Sequence, residues 1–226
     1  MLASAAMQDY LAEAYRIAYY QHDIYISTTA LAAALNVSAP AVTRMVQRLK
    51  EGGFLEHEPY RGIRLTPEGE REALRSIRKH RLVERFLVDV MGFGWHEVHD
   101  YADELGSVVS DALAERMDEM IGHPRRCPHG EPIPTREGSM PRLIDESLNE
   151  APLGQAYAVS RANTHDADKL RYLDMLGLRP GVTIKLLDRA PFHGPLHIEV
   201  DGQAHFIGYE LANVVRVCSR EAYDSI

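Results

Sequence analysis

The sequence predicts a mainly α-helical protein with a small β component, and three observations carry that reading. Apolar residues recur at helical spacing through most of the chain before Pro124; the pair Gly52-Gly53 is followed by two short strand-like runs; and several short alternating segments stand close together after Pro180. At 226 residues the chain exceeds one average domain, so two or three compact units are expected. A composition of 45% hydrophobic and 26% charged residues is that of an ordinary globular protein and excludes a disordered or fibrous one. No run approaches the roughly 20 apolar residues of a membrane span. The start MLASAAMQDYLAEAY lacks the basic-then-apolar pattern of a secretory signal, so a cytoplasmic protein without a membrane partner is expected. Cys127 and Cys218 lie far apart and form no CxxC pair, which argues against a disulfide framework or zinc ribbon and fits a reducing compartment.

The elements follow in order. Leu11, Tyr15, Ile17 and Ala18 mark a first amphipathic helix over residues 7–20 that stops near His22-Asp23. After Ile24-Tyr25-Ile26, any of Ser27, Thr28 or Thr29 can cap a short helix carrying Leu31, Ala32, Ala34 and Leu35. Ser38 is a natural N-cap and Pro40 suits a first turn, which opens a helix over 39–50 with Val42, Met45, Val46 and Leu49 on one face. Two short helices joined by a tight turn make a helix-turn-helix. Gly52-Gly53 ends the second helix, and 54–58 and 63–66 read as strands around the turn Pro59-Tyr60-Arg61-Gly62, which is a wing. Thr66 to Glu70 then caps a long helix reaching about Met91. Another helix is expected from Trp95 to Leu105 and on through 108–120, and the proline-rich stretch 124–141 is irregular. A helix near 139–150, a strand at 156–162, a helix at 166–176 and strands at 182–188, 196–200, 203–209 and 214–218 complete the pattern, with Asp201-Gly202 as a hairpin turn. The strands amount to a small β-barrel.

The winged helix-turn-helix sets expectations for DNA. Ser38, Pro40, Thr43, Arg44 and Arg48 would face the major groove, Gln47 could reach a base, and Arg61 or Arg64 on the wing could meet phosphate. The net charge of −8 is adverse taken as an average, because Lys and Arg supply most non-specific DNA affinity. It hides a division: residues 38–64 carry five basic side chains against three acids, and 71–85 carry six against two. Residues 97–119 hold eight acids and one arginine, a set that suits a cation or a solvated helix face.

The metal question begins with His80, Glu84 and His99. His80 and Glu84 are four apart, hence one turn apart on one helix face, and His99 and Asp103 repeat the spacing on the next predicted helix. Mixed imidazole and carboxylate donors suit divalent manganese, iron, cobalt, nickel or zinc, although a His and Glu four apart on a basic helix are more often a surface pair. Cys127-Pro128-His129 has no second cysteine nearby and is read as packing, as are Phe93 and Trp95. His193, His197 and His205 are read as scattered strand histidines.

The order helix-turn-helix, wing, RKHRLVERFL, VHDYADELGSVVSD, HPRRCPHGEPIP and a C-terminal segment containing YLDMLGLRPGVTIKLLDR resembles the diphtheria-toxin repressor and manganese transport regulator family of metal-dependent repressors, over essentially the whole chain. The resemblance implies a winged helix-turn-helix domain at 1–71, a helical dimerisation and metal-binding domain at 72–142, a linker at 143–152 and an SH3-like, FeoA-type barrel at 153–226. It implies no enzyme, but a homodimer that binds a palindromic operator and represses metal-uptake genes. By position, the family's ancillary site maps onto His80, Glu84 and His99, with Asp166 or Asp168, or His165, joining from the barrel. The primary site maps onto Asp9 and Asp103, where iron-type members carry methionine and cysteine; these hard oxygen ligands tilt the metal towards Mn2+, with Fe2+ the alternative.

One departure matters. The family's primary-site glutamate and histidine fall on Gly106 and Ser107, and glycine offers no side-chain ligand. Three outcomes follow: a primary site rebuilt with Glu104, a regulatory role for the His80/Glu84/His99 group, or weakened metal control, with the second preferred. The competing readings are a winged-helix regulator sensing an organic ligand and a metal-dependent hydrolase; no nucleophile motif, phosphate loop or dinucleotide fingerprint supports an enzyme.

Overall fold

The computed structural model describes residues 3–21 and 23–226. They form two compact units, Met1–His80 with Pro134–Met140, and Arg81–Ile133 with Pro141–Ile226.

In the first unit α1 (Ala5–Gln21), α2 (Thr28–Ala34) and α3 (Ala39–Glu51) precede the strands β1 (Leu55–Glu58) and β2 (Gly62–Leu65), and α4 begins at Pro67 and runs to Asp89. The apolar stripes of the three helices close on one another: Leu11, Leu31, Val42, Leu49 and Ile63 are fully buried in one cluster with Phe54. Burying each such side chain contributes about 1.5–3 kcal/mol, which is what holds three short helices together. Ser27 is the cap of α2, its hydroxyl accepting from Ala30 N at 3.0 Å. Ser38 stands at the N-cap of α3 with Pro40 in the first turn, as the sequence predicts. Its backbone is in the extended N-cap conformation, but its hydroxyl makes no capping bond. An N-cap side chain normally accepts from the second or third helical N–H; Pro40, at the second position, has none, and the third, on Ala41, donates to the Ser38 backbone carbonyl at 2.9 Å. The end of α1 expected near His22 lies outside the described residues at that position.

β1 and β2 pair antiparallel from Leu55↔Leu65 to Glu58↔Gly62, and Ile26 adds a bridge to Ile63. Gly62 therefore belongs to the strand and not to the turn. It has φ +116°, and a Cβ there would lie 2.4 Å from the Ile26 carbonyl oxygen, so only glycine lets that bridge form. Thr66 caps α4, accepting from Gly69 N at 3.1 Å.

The second unit contains the rest of α4, then α5 (Val98–Gly106), α6 (Asp111–Met120), β3 (Glu146–Ser147), β4 (Ala156–Ala162), α7 (Ala167–Met175), β5 (Thr183–Arg189), β6 (Leu196–Val200), β7 (Gln203–Ile207), α8 (Tyr209–Val214), β8 (Val215–Cys218) and α9 (Arg220–Asp224). The six strands form one antiparallel sheet in the order β3-β8-β4-β5-β6-β7. Leu148, Leu170, Leu173, Leu186, Ile198 and Val217 fill its core with Trp95. A second cluster joins Leu82, Val83 and Leu87 of α4 to Val98, Ala102, Val109, Ala114 and Ile133.

Three expectations differ here. The single helix through 120 is two, because the Ser110 hydroxyl accepts from Leu113 N at 3.2 Å and starts α6 afresh. The helix near 139–150 is absent: Glu146 and Ser147 pair with Val217 and Arg216, and Leu148 and Ala151 are buried, so residues 143–152, expected as a linker, add a strand and core residues to the sheet unit. The strand expected to reach Tyr209 stops at Ile207, because Gly208 caps α8 and Tyr209 is already its first residue.

Candidate metal centre and nucleic-acid face

Glu84 projects from α4 into the second unit with its side chain only 2% exposed. A carboxylate so deeply buried must be paired or neutralised, since an isolated buried charge is prohibitively costly. Two imidazoles meet it: His99 Nδ1 of α5 lies 3.3 Å from Glu84 Oε1, and His129 Nδ1 lies 3.4 Å from the same atom. Cys127 Sγ is 4.0 Å from His129 Nδ1. Ligand atoms of Glu84, Cys127 and His129 all fall within 4.8 Å of one another, and all three residues are buried.

The loop between α6 and β3 brings Cys127 and His129 there. Cys127 N donates to the Glu131 carbonyl at 2.8 Å and Gly130 N to the Cys127 carbonyl at 3.0 Å, a tight turn that sets the two side chains side by side. Gly130 has φ +93°, and a Cβ on it would lie 2.3 Å from the Ser160 carbonyl oxygen, so the turn presses directly on β4; Ala162 N donates to the His129 carbonyl at 2.9 Å. An ion-pair chain pins it further. Arg81 of α4 meets Glu131 at 3.0 Å, Arg161 of β4 meets Glu131 at 2.9 Å and Asp145 at 2.8 Å, and Arg216 of β8 meets Asp145 at 3.0 Å. Burial opposes the Asp145 charge, yet the hydrogen bonds from Arg161 and Arg216 prevail and hold its carboxyl below the usual range.

The tautomer of His129 follows from its other nitrogen. Nε2 lies 2.8 Å from the Trp95 carbonyl, which can only accept, so Nε2 carries the proton and Nδ1 is left for Glu84 and Cys127. Burial resists a charge on this ring, but the hydrogen bonds to Cys127 and Glu84 outweigh it and raise His129 to about 11. Burial, and then the Glu84 charge, pushes the Cys127 thiol up as well. Both shifts favour a proton on His129 and one on Cys127. A divalent cation would displace those two protons, and Glu84, His129 and Cys127 would offer it carboxylate, imidazole and thiolate, a donor set that fits a transition metal.

The sequence-derived ligands fall into three groups. Ligand atoms of His80, His99 and Asp103 fall within 4.8 Å of one another, with His99 Nε2 3.6 Å from Asp103 Oδ2, and the other ring nitrogen of His99 meets Glu84. From the barrel it is His165 that arrives, its ring stacked on His99 at 3.6 Å between centroids and edge-on to His129 at 5.6 Å. Asp166 and Asp168 are not among the clustered ligand atoms: Asp166 Oδ1 accepts from Asp168 N and Lys169 N as the cap of α7, and Asp168, 91% exposed, pairs with Arg171. Glu104 is exposed on α5 and Asp9 is exposed on α1 in the first unit. Cys127 and His129 are the residues that sequence reasoning set aside as packing. Their two-residue spacing inside a Pro- and Gly-bounded turn was the available signal.

On α3, Ser38, Pro40, Thr43, Arg44, Gln47 and Arg48 are all exposed, opposite the buried Val42, Val46 and Leu49. The Thr43 hydroxyl donates to the Ala39 carbonyl at 3.0 Å and the Gln47 amide to Glu51 at 2.7 Å. On the wing, Arg64 pairs with Glu56 at 2.6 Å and Arg61 with Glu58 at 3.4 Å.

A winged helix-turn-helix followed by helices that gather metal-ligating side chains defines a class, the DNA-binding regulator answerable to a metal ion. Three family models agree: the iron-dependent repressor N-terminal DNA-binding domain matches residues 2–63, the iron-dependent repressor metal-binding and dimerisation domain residues 66–135, and the FeoA domain residues 146–218. Among similar proteins, the diphtheria toxin repressor of Corynebacterium glutamicum is 30% identical over 197 residues, 83% of this chain and 85% of that protein. The iron-dependent repressor IdeR of Mycobacterium tuberculosis is 32% identical over 200 residues, 83% of this chain and 86% of that one. Among solved structures, a manganese-dependent transcriptional repressor in complex with manganese superposes with a TM-score of 0.82 at 33% identity, covering 94% of this chain and 99% of that one. ScaR with bound Cd2+ gives 0.77 at 33% identity, with the same coverage. The chain belongs to the diphtheria-toxin repressor and manganese transport regulator family of metal-dependent transcriptional repressors. It carries that family's DNA-binding and dimerisation domains, depends on a divalent metal, and is a regulator and not an enzyme. Among the described residues no helix is long and apolar enough to cross a membrane.

Proposed function

We propose that the chain is a manganese-dependent repressor of metal-uptake genes, acting in the cytoplasm as a homodimer on a palindromic operator, with its regulatory metal at Glu84. The observation that carries this reading is the convergence of Cys127, His129 and His99 on one buried carboxylate. His80, one turn away on α4, Asp103, one turn beyond His99, and His165, stacked on His99, complete the set of candidate ligands. Gly106 closes α5 and Ser107 Oγ donates to the Glu104 carbonyl at 3.4 Å, so neither supports a site built on Asp9, Asp103 and Glu104. The second reading is Fe2+, and Cys127 favours it: hard oxygen donors suit manganese, whereas a thiolate is a softer ligand.

The dimer would form on α5, α6 and the turn between them, where Tyr101, Leu105, Val108 and Leu113 are exposed. On DNA, Ser38, Pro40, Thr43, Arg44, Gln47 and Arg48 would face the major groove, with Arg61 or Arg64 on phosphate. The test is titration of the purified chain with Mn2+ and with Fe2+ by calorimetry, alongside operator binding by fluorescence anisotropy. Wild type should bind metal and gain DNA affinity with it. Glu84→Gln should lose both, and a Glu84→Gln protein still switched by metal contradicts the assignment.

A further inference from the structure

We propose that Tyr25 is a positioning residue for DNA binding, holding the Arg61 guanidinium against its ring so that most of the arginine's N–H groups are presented to a DNA phosphate. The inference rests on the reading of the wing as a DNA contact. It starts from an inequality between the two wing arginines. Arg64 is closed on Glu56, its partner across the strand pair, through Nε at 2.8 Å and Nη2 at 2.6 Å. Arg61 makes one ion pair, at 3.4 Å to Glu58, and its guanidinium carbon stands 3.8 Å from the centroid of the Tyr25 ring, against 6.0 Å for that of Arg64. A guanidinium over an aromatic face keeps its edge N–H groups outward, the geometry in which Arg meets a phosphate oxygen.

Tyr25 is itself fixed at both ends. Its backbone neighbour Ile26 exchanges two hydrogen bonds with Ile63, N to O at 2.8 and 2.9 Å, which locks this segment to β2. The Tyr25 hydroxyl donates to Glu58 Oε2. That bond occupies one oxygen of Glu58 and keeps the carboxylate from closing on Arg61 as Glu56 closes on Arg64. Ring, hydroxyl and carboxylate together leave Arg61 ordered before DNA arrives, so less side-chain freedom is lost when it binds.

The test measures binding of the full chain, in buffer containing manganese, to a mixed-sequence duplex over a range of salt concentrations, for Arg61→Ala, Tyr25→Leu, Tyr25→Phe and Tyr25→Leu/Arg61→Ala, with thermal unfolding of each. Arg61→Ala should weaken binding and lower the steepness of log K against log salt by about one for each wing engaged. Tyr25→Leu should weaken binding about two- to five-fold, the range of an exposed cation–π contact, when Arg61 is present, and not at all when Arg61 is alanine. Tyr25→Phe, which keeps the ring but frees Glu58 to close on Arg61, should fall between wild type and Tyr25→Leu, and a loss equal to that of Tyr25→Leu would overturn the part played by the ring. An unchanged salt slope in Arg61→Ala removes the wing contact on which the inference rests. A normal Arg61→Ala result with equal Tyr25→Leu losses in both backgrounds overturns the role of Tyr25 alone.

Discussion

Glu84 is surrounded by residues that differ in how visible they were. Helical spacing puts His80 beside Glu84 and His99 beside Asp103, and the family resemblance joined the two pairs into one set. Cys127 and His129 were not legible, because nothing in local periodicity says that a proline-rich turn will fold back onto α4; the carrying contacts are the ion pairs of Arg81 and Arg161 with Glu131. The candidate barrel ligands Asp166 and Asp168 were chosen by position, and the cap of α7 claims the first of them. Cys127→Ser should reduce metal affinity by more than tenfold with the fold intact, as measured by calorimetry and far-UV dichroism, and an affinity equal to wild type would remove Cys127 from the site. The pH dependence has a definite sign. His129 is raised to about 11 and the Cys127 thiol is also raised, so both hold protons at neutral pH that the metal must displace. Metal affinity should therefore climb with pH through the neutral and mildly alkaline range and fall as pH drops. A flat profile between mildly acidic and mildly alkaline buffer would exclude these two ligands.

At the scale of elements, strong periodicity gave reliable helices and local capping decided their ends. α1, α3 and α4 were readable from apolar stripes alone, whereas the break between α5 and α6 depends on one serine hydroxyl within a pattern that continues across it. Elements as short as β3, α8 and α9 carry too few residues for any period to register, and they form because the sheet and its core are already there. Two substitutions test the packing. Leu49→Ala, removing a fully buried side chain from α3, should cost about 2–5 kcal/mol in chemical denaturation. Gly130→Ala should destabilise by more than about 1 kcal/mol, since a left-handed backbone and a carbonyl at 2.3 Å both oppose the methyl group, and it should weaken metal binding too. Loss of stability with metal affinity preserved would separate the turn from the site.

At the scale of the whole molecule, the order of elements was the most informative feature of the sequence. The winged helix, the two-helix segment and the C-terminal strands each admit many functions, and their succession pointed to one family, which the matched domain models then showed. The acidic net charge did not forbid DNA, because the basic residues concentrate where α3 and the wing lie. If α5, α6 and the turn between them form the dimer face, Val108→Asp, at a site 75% exposed, should shift sedimentation to a monomer while leaving the secondary structure unchanged. The central claim is that the regulatory metal sits at Glu84. An anomalous difference map from crystals grown with manganese tests it most directly. A peak is expected within coordination distance of Glu84, with ligands drawn from Cys127, His129 and His99. A map with its only peak beside Asp9, Asp103 and Glu104 would contradict it.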